Sequence, residues 1–178
     1  MIVRRSEVSG TDAAEAALVA FARAHIEFVD AHHRGPQGWR YATKEHLLLD
    51  IGRLHTAGPL PDGIDKMPDQ FCYSNAAAVA RRRGLLYAEG IAAFSVSGTV
   101  CCLAHGWCVT TDGIAIDPTW DPGTGLAYLG VAISDESLWP TEENFGVFDD
   151  YARVSSLLAN GFAPQAVAAL GREIPARP

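Results

Sequence analysis

The sequence predicts an α+β fold: helices first, an antiparallel sheet in the middle, and a loop with short helices at the end. Three observations support it. Apolar residues recur at helical spacing across 11–83. They alternate, or run between turn signals, across 85–133. No linker or repeat divides 1–178, so a single domain is expected, with 134–178 as its closing loop and helices.

The first helix is expected to open at Asp12-Ala13-Ala14-Glu15, a capping box that satisfies N–H groups left over at a helix start. It runs to about His33, ahead of Gly35-Pro36, with Leu18, Phe21, Phe28 and Val29 as its inward stripe. A second helix starts near Thr43 and carries Leu47, Leu48, Ile51 and Leu54 at helical spacing. The stretch Gly58-Pro59-Leu60-Pro61-Asp62-Gly63 reads as a loop that continues through Met67-Pro68. Asp69 is the expected cap of a third helix over 70–83, closed by Gly84 behind Arg81-Arg82-Arg83. Its middle, Asn75-Ala76-Ala77-Ala78-Val79-Ala80, is small enough for close approach, which places this helix at the centre. Strands are expected over 85–96, 100–110, 114–117 and 126–133, then a loop around Trp139-Pro140 and helices near 149–159 and 164–170.

Composition narrows the function classes. Apolar residues form 48% of the chain and charged residues 20%, which excludes a disordered chain. The net charge of −7 arises in one part: residues 1–108 hold eleven acids and eleven bases, residues 109–178 ten acids and three bases. A nucleic-acid binder needs a basic stripe, and the only basic run, 81–83, reads as a helix end. No nucleic-acid partner is expected. Residues 91–109 lack formal charge, but Ser95, Ser97, Gly98, Thr99 and His105 fit two strands around a turn better than a membrane span. Arg4, Arg5 and Glu7 stand where a secretion leader would be apolar, so the four cysteines are expected as reduced thiols of a cytoplasmic protein.

Three positions carry the candidate chemistry. Cys72 falls in the first turn of the third helix, where unpaired N–H groups and the helix dipole favour a thiolate and a developing oxyanion. His105 lies on a strand in His105-Gly106-Trp107, and Asp117 ends the next strand in Asp117-Pro118-Thr119-Trp120. A three-residue loop at 111–113 would set Trp107 opposite Asp117 and His105 diagonal to it on the same face. A two-residue Asp112-Gly113 loop would put His105 and Asp117 on opposite faces, so both registers stay open. Cysteine attacks a carbonyl, histidine moves the proton, and a carboxylate orients the imidazole.

This order resembles the transglutaminase-like branch of the papain-like cysteine superfamily: Cys at a helix start, His-x-Trp on one strand, Asp-Pro near the end of the next. The likeness covers about 69–120. It implies a central Cys-bearing helix packed on an antiparallel sheet, with hydrolysis, deamidation or acyl transfer at an amide. Cys72 would be the nucleophile, His105 the general base and acid, and Asp117 the orienting carboxylate. The implied substrate is a peptide, a protein or a small amide, with no metal and no cofactor. Gln70 is the nearby side-chain amide for an oxyanion, with backbone N–H groups as the other source.

Plainer readings stand beside these. A free cysteine is commonly a small core residue. Tyr73 and Asn75 adjoin the nucleophile, with packing as their default role. Glu89 interrupts an apolar strand and either lines the cleft or faces solvent. Trp107 and Trp120 fill core by default, and His25, His32, His33, His46 and His55 are expected at the surface. Two other functions use the same residues. Cys102-x-x-His105-x-x-Cys108 has zinc-ligand spacing, although a strand would turn His105 away from both cysteines. A non-catalytic interaction protein on the same fold would use the acidic 109–178 region to meet a basic partner.

Overall fold

The computed structural model describes residues 10–32, 36–141 and 145–176. The readings of Arg4, Arg5, Glu7, His33 and Gly35 fall outside them. The chain runs α1 (Gly10–His32), α2 (Lys44–Ile51), β1 (Arg53–Ala57), α3 (Cys72–Arg83), β2 (Leu86–Val96), β3 (Thr99–Val109), β4 (Ile114–Ile116), β5 (Gly125–Ile133), α4 (Tyr151–Asn160) and β6 (Val167–Ala168). The fold is α+β, as the sequence predicts.

The sheet departs from expectation in one respect that matters. The second helix stops at Ile51, where Gly52 donates back to the Leu48 carbonyl, and Leu54 belongs to a strand instead. That strand, β1, pairs in parallel with β4 and antiparallel with β5, while β4, β3, β2 and β5 pair in series. The five strands therefore close into a ring rather than forming an open, wholly antiparallel sheet. The segment over 164–170 is a single 3-10 turn leading into β6, not a helix. Neither β1 nor β6 has a strand signature of its own length and alternation.

Alternation assigns the faces. Ala88, Ala92, Trp107, Val109, Ala115, Tyr128 and Ala132 turn into the ring, where small alanines leave room for the two large aromatics. The opposite face, with Tyr87, Ile91, Cys108, Leu129, Val131 and Ile133, packs under the helices. There α3 lays down Tyr73, Ala76, Ala77, Val79 and Ala80, and α1 adds Ala14, Leu18 and Ala22. Phe21 and Phe28 do not join the inward stripe of α1; they are 43% and 56% exposed. Among the described residues, no helix is long and apolar enough to cross a membrane.

Candidate active site

The hairpin between β3 and β4 decides whether His105 and Asp117 share a face. Gly113 has φ +78° and donates to the Thr110 carbonyl, and Thr110 N–H donates to the Ile114 carbonyl. This is the three-residue loop, and Cys108 pairs with Ile116. Trp107 consequently lies opposite Asp117, and His105 falls on the same inward face. The His105 Nε2–Asp117 Oδ2 distance is 2.8 Å, with both side chains buried.

Asp117 is held from every side. Its Oδ1 accepts from the backbone N–H groups of Thr119 (2.9 Å) and Trp120 (3.2 Å), and its Oδ2 also accepts from the Tyr128 hydroxyl at 3.0 Å. Burial alone would raise its pKa, but the His105 contact and these donors outweigh it and hold the carboxyl below the usual range. It is therefore a fixed anion at neutral pH. Tyr128 goes unnoticed in the sequence because its meeting with Asp117 depends on ring closure rather than local spacing.

The third member arrives from α3. That helix starts at Cys72 itself, because Phe71 occupies the cap position without a side-chain bond; Asp69 pairs with Lys66 at 2.9 Å instead of capping. The Cys72 side chain is half-buried and hydrogen-bonds His105. With Nε2 engaged by Asp117, Nδ1 is the ring nitrogen that serves the sulfur. Burial pushes the His105 pKa down, but the bonds and charges of Asp117 and Cys72 prevail and lift it from 6.5 to about 9. The Trp120 ring stacks on the imidazole at 4.0 Å between centroids and 20° between planes, fixing the ring's tilt.

Close approach of α3 to β3 depends on Gly106. A Cβ there would sit 2.9 Å from Tyr73 Cδ1 and 3.1 Å from Tyr73 Cα. Asn75 anchors the loops on either side of the site: its Nδ2 donates to the Pro68 carbonyl (2.8 Å) and the Thr119 hydroxyl (3.0 Å). It is a brace rather than a group aimed at substrate. Gln70 is exposed and has φ +69°, a left-handed turn that costs a non-glycine residue about 1–2 kcal/mol and swings the chain into the helix. Trp107 fills the ring as core.

Two residues correct the sequence reading. Glu89 does not face solvent. It is buried on the helix side, accepting from Tyr87 hydroxyl (2.6 Å), Val147 N–H (2.6 Å) and Phe148 N–H (2.8 Å). Burial, partly offset by those donors, lifts its pKa to about 7. The carboxylate thereby ties the 145–150 segment beside Tyr73, whose side chain hydrogen-bonds Asp149. His55 is likewise buried, not at the surface. Its Nε2 lies 3.0 Å from the Leu170 carbonyl, and burial pushes its pKa down to about 4.

The zinc spacing does not assemble a site. Cys102 and Cys108 project to the helix-packed face of β3 and His105 into the ring, and Cys108 Sγ donates to the Ala76 carbonyl at 3.1 Å. Among the described residues, no group of three His, Cys, Asp or Glu side chains is placed to hold a metal ion. No family of known proteins, no curated protein and no solved structure matches this chain.

Proposed function

We propose that the protein is a cysteine-dependent hydrolase or acyltransferase acting on amide bonds, built on a transglutaminase-like variant of the papain-like fold. The observation that carries the proposal is the continuous contact from Asp117 through His105 to Cys72. The imidazole takes the proton of the Cys72 sulfur and holds it as a cation that Asp117 stabilises. The sulfur attacks the amide carbonyl carbon, and the carbonyl oxygen becomes an oxyanion. First-turn N–H groups of α3, at Cys72 and Tyr73, are the donors for it. Collapse breaks the C–N bond, with the His105 proton passing to the leaving amine and a thioester left on Cys72. Water or an acceptor amine then attacks the thioester and gives its proton to His105, which returns it to the departing sulfur as the acyl group is released.

Mass-spectrometric trapping tests this. A panel of peptide and small-amide substrates is incubated with the protein and quenched in acid. The expected product is an acyl adduct on Cys72 that is absent from Cys72→Ser and accumulates in no His105→Ala sample. Turnover that survives Cys72→Ser would remove the proposal.

A further inference from the structure

The strand that carries His105 has an open edge. β3 pairs with β2 along its full length, from Val96↔Thr99 to Leu86↔Val109, but with β4 only at Cys108 and Val109. Backbone groups on an antiparallel strand point alternately to its two neighbours. The Thr110 N–H bonds toward β4, so the even-numbered residues of β3 direct N–H and C=O to that side. Val100, Cys102 and Ala104 therefore present theirs where, among the described residues, no strand lies. Among the described residues, no backbone bond from these three reaches another segment.

Three features set this edge apart from an idle one. Unpaired strand edges are normally blunted by charge, proline or a cover, and residues 91–104 contain none of the first two. The edge leads directly to Gly106, against which Cys72 and Tyr73 pack, so a chain paired with it runs into the triad. The face it borders holds a largely apolar groove of about 460 Å³, lined by Phe21, Phe28, Ile91 and Ala104, with His25, Lys44 and Glu45 also in its wall.

We propose, resting on the amide chemistry above, that the substrate is an extended peptide segment. It adds to β3 as a further strand along Val100–Ala104, placing an apolar side chain in the Phe21–Phe28 groove and its reacting carbonyl at Cys72. Backbone pairing supplies affinity without demanding a sequence, and the groove supplies the preference for an apolar residue. Small amides lack the backbone to use this edge.

Chloromethyl ketone probes separate the strand from the triad. Cys72 alkylation rates are compared for iodoacetamide, a single-residue chloromethyl ketone, an acetylated tetrapeptide chloromethyl ketone with one leucine, and that tetrapeptide with alternate backbone nitrogens methylated. The expected result is at least a tenfold faster reaction for the tetrapeptide than for the single residue, with the gain lost on methylation. Ala104→Pro removes an outward N–H where an edge strand tolerates proline, and should abolish the same gain while iodoacetamide labelling of Cys72 persists. Intact iodoacetamide labelling without a tetrapeptide gain overturns the strand inference and leaves the triad standing. A gain indifferent to methylation also overturns it. So does a concentration-dependent dimer dispersed by Ala104→Pro, which would give the edge to a second copy of the chain.

Discussion

Replacing Asp117 by Asn keeps the size of the side chain and removes its charge. The amide oxygen can still accept from Thr119 and Trp120 N–H groups, which leaves the amide nitrogen facing His105 Nε2. That contact then asks Nε2 to accept, which moves the ring proton to Nδ1 and turns the wrong tautomer toward Cys72. The gap between 6.5 and about 9 corresponds to about 3 kcal/mol of preference for the charged ring. Burial opposes that preference and Cys72 supplies only part of it, so without the Asp117 charge the ring should titrate well below its parent midpoint. A histidine pKa raised on folding contributes stability that is complete below pH 6.5 and is lost as pH rises through about 9. The stability advantage of the parent over Asp117→Asn should therefore shrink between pH 6.5 and 9 by at most about 3 kcal/mol, the part of the shift that Asp117 rather than Cys72 supplies. Two assays read this: the His105 midpoint by NMR of labelled imidazole, and urea unfolding across that pH range. Alkylation of Cys72 at pH 7 should fall at least a hundredfold. An unchanged His105 midpoint in Asp117→Asn would refute the reasoning.

Other perturbations have equally definite outcomes. Gly106→Ala drives a methyl group into Tyr73 and should cost about 1–3 kcal/mol and slow Cys72 alkylation about tenfold, by shifting the start of α3; wild-type rates with wild-type stability would contradict this. Tyr128→Phe removes one donor from Asp117 and leaves the Thr119 and Trp120 donors, so a stability loss near 1 kcal/mol is expected by urea titration, with the triad retained. Glu89 has a folded pKa of about 7 against 4.5 for the free side chain, so its contribution is present below pH 4.5 and fades as pH rises through 7. Glu89→Gln should abolish that fade, leaving the variant with the flatter stability profile between pH 5 and 8; a steeper one would reverse the assignment.

Much of this architecture is written in local pattern. The turn at Thr111-Asp112-Gly113 carries its own glycine but fits two registers, and only the fold selects the three-residue loop that sets His105 and Asp117 on one face. The small residues of α3 announce its central packing, but its start lies at Cys72 behind Phe71 rather than at 70 behind Asp69. What escapes the sequence is long-range. Arg53-Leu54-His55-Thr56-Ala57 continues the apolar spacing of α2, and only its pairing with β4 and β5 makes it a strand. Glu89 looks solvated until the backbone of Val147 and Phe148, more than fifty residues later, folds over it. Phe21 and Phe28 look inward by period, yet α1 buries the neighbouring stripe of Leu18, Val19 and Ala22. Tyr128 reaches Asp117 because the ring closes, which no short window of sequence contains.

The most direct measurement is a race among the four cysteines. Substoichiometric iodoacetamide at neutral pH, followed by peptide mapping, should find Cys72 modified well ahead of the half-buried Cys101 and Cys102 and the buried Cys108. His105→Ala should erase that lead. Preferential modification of Cys101 or Cys102, or a Cys72 rate indifferent to the loss of the imidazole, would contradict the triad.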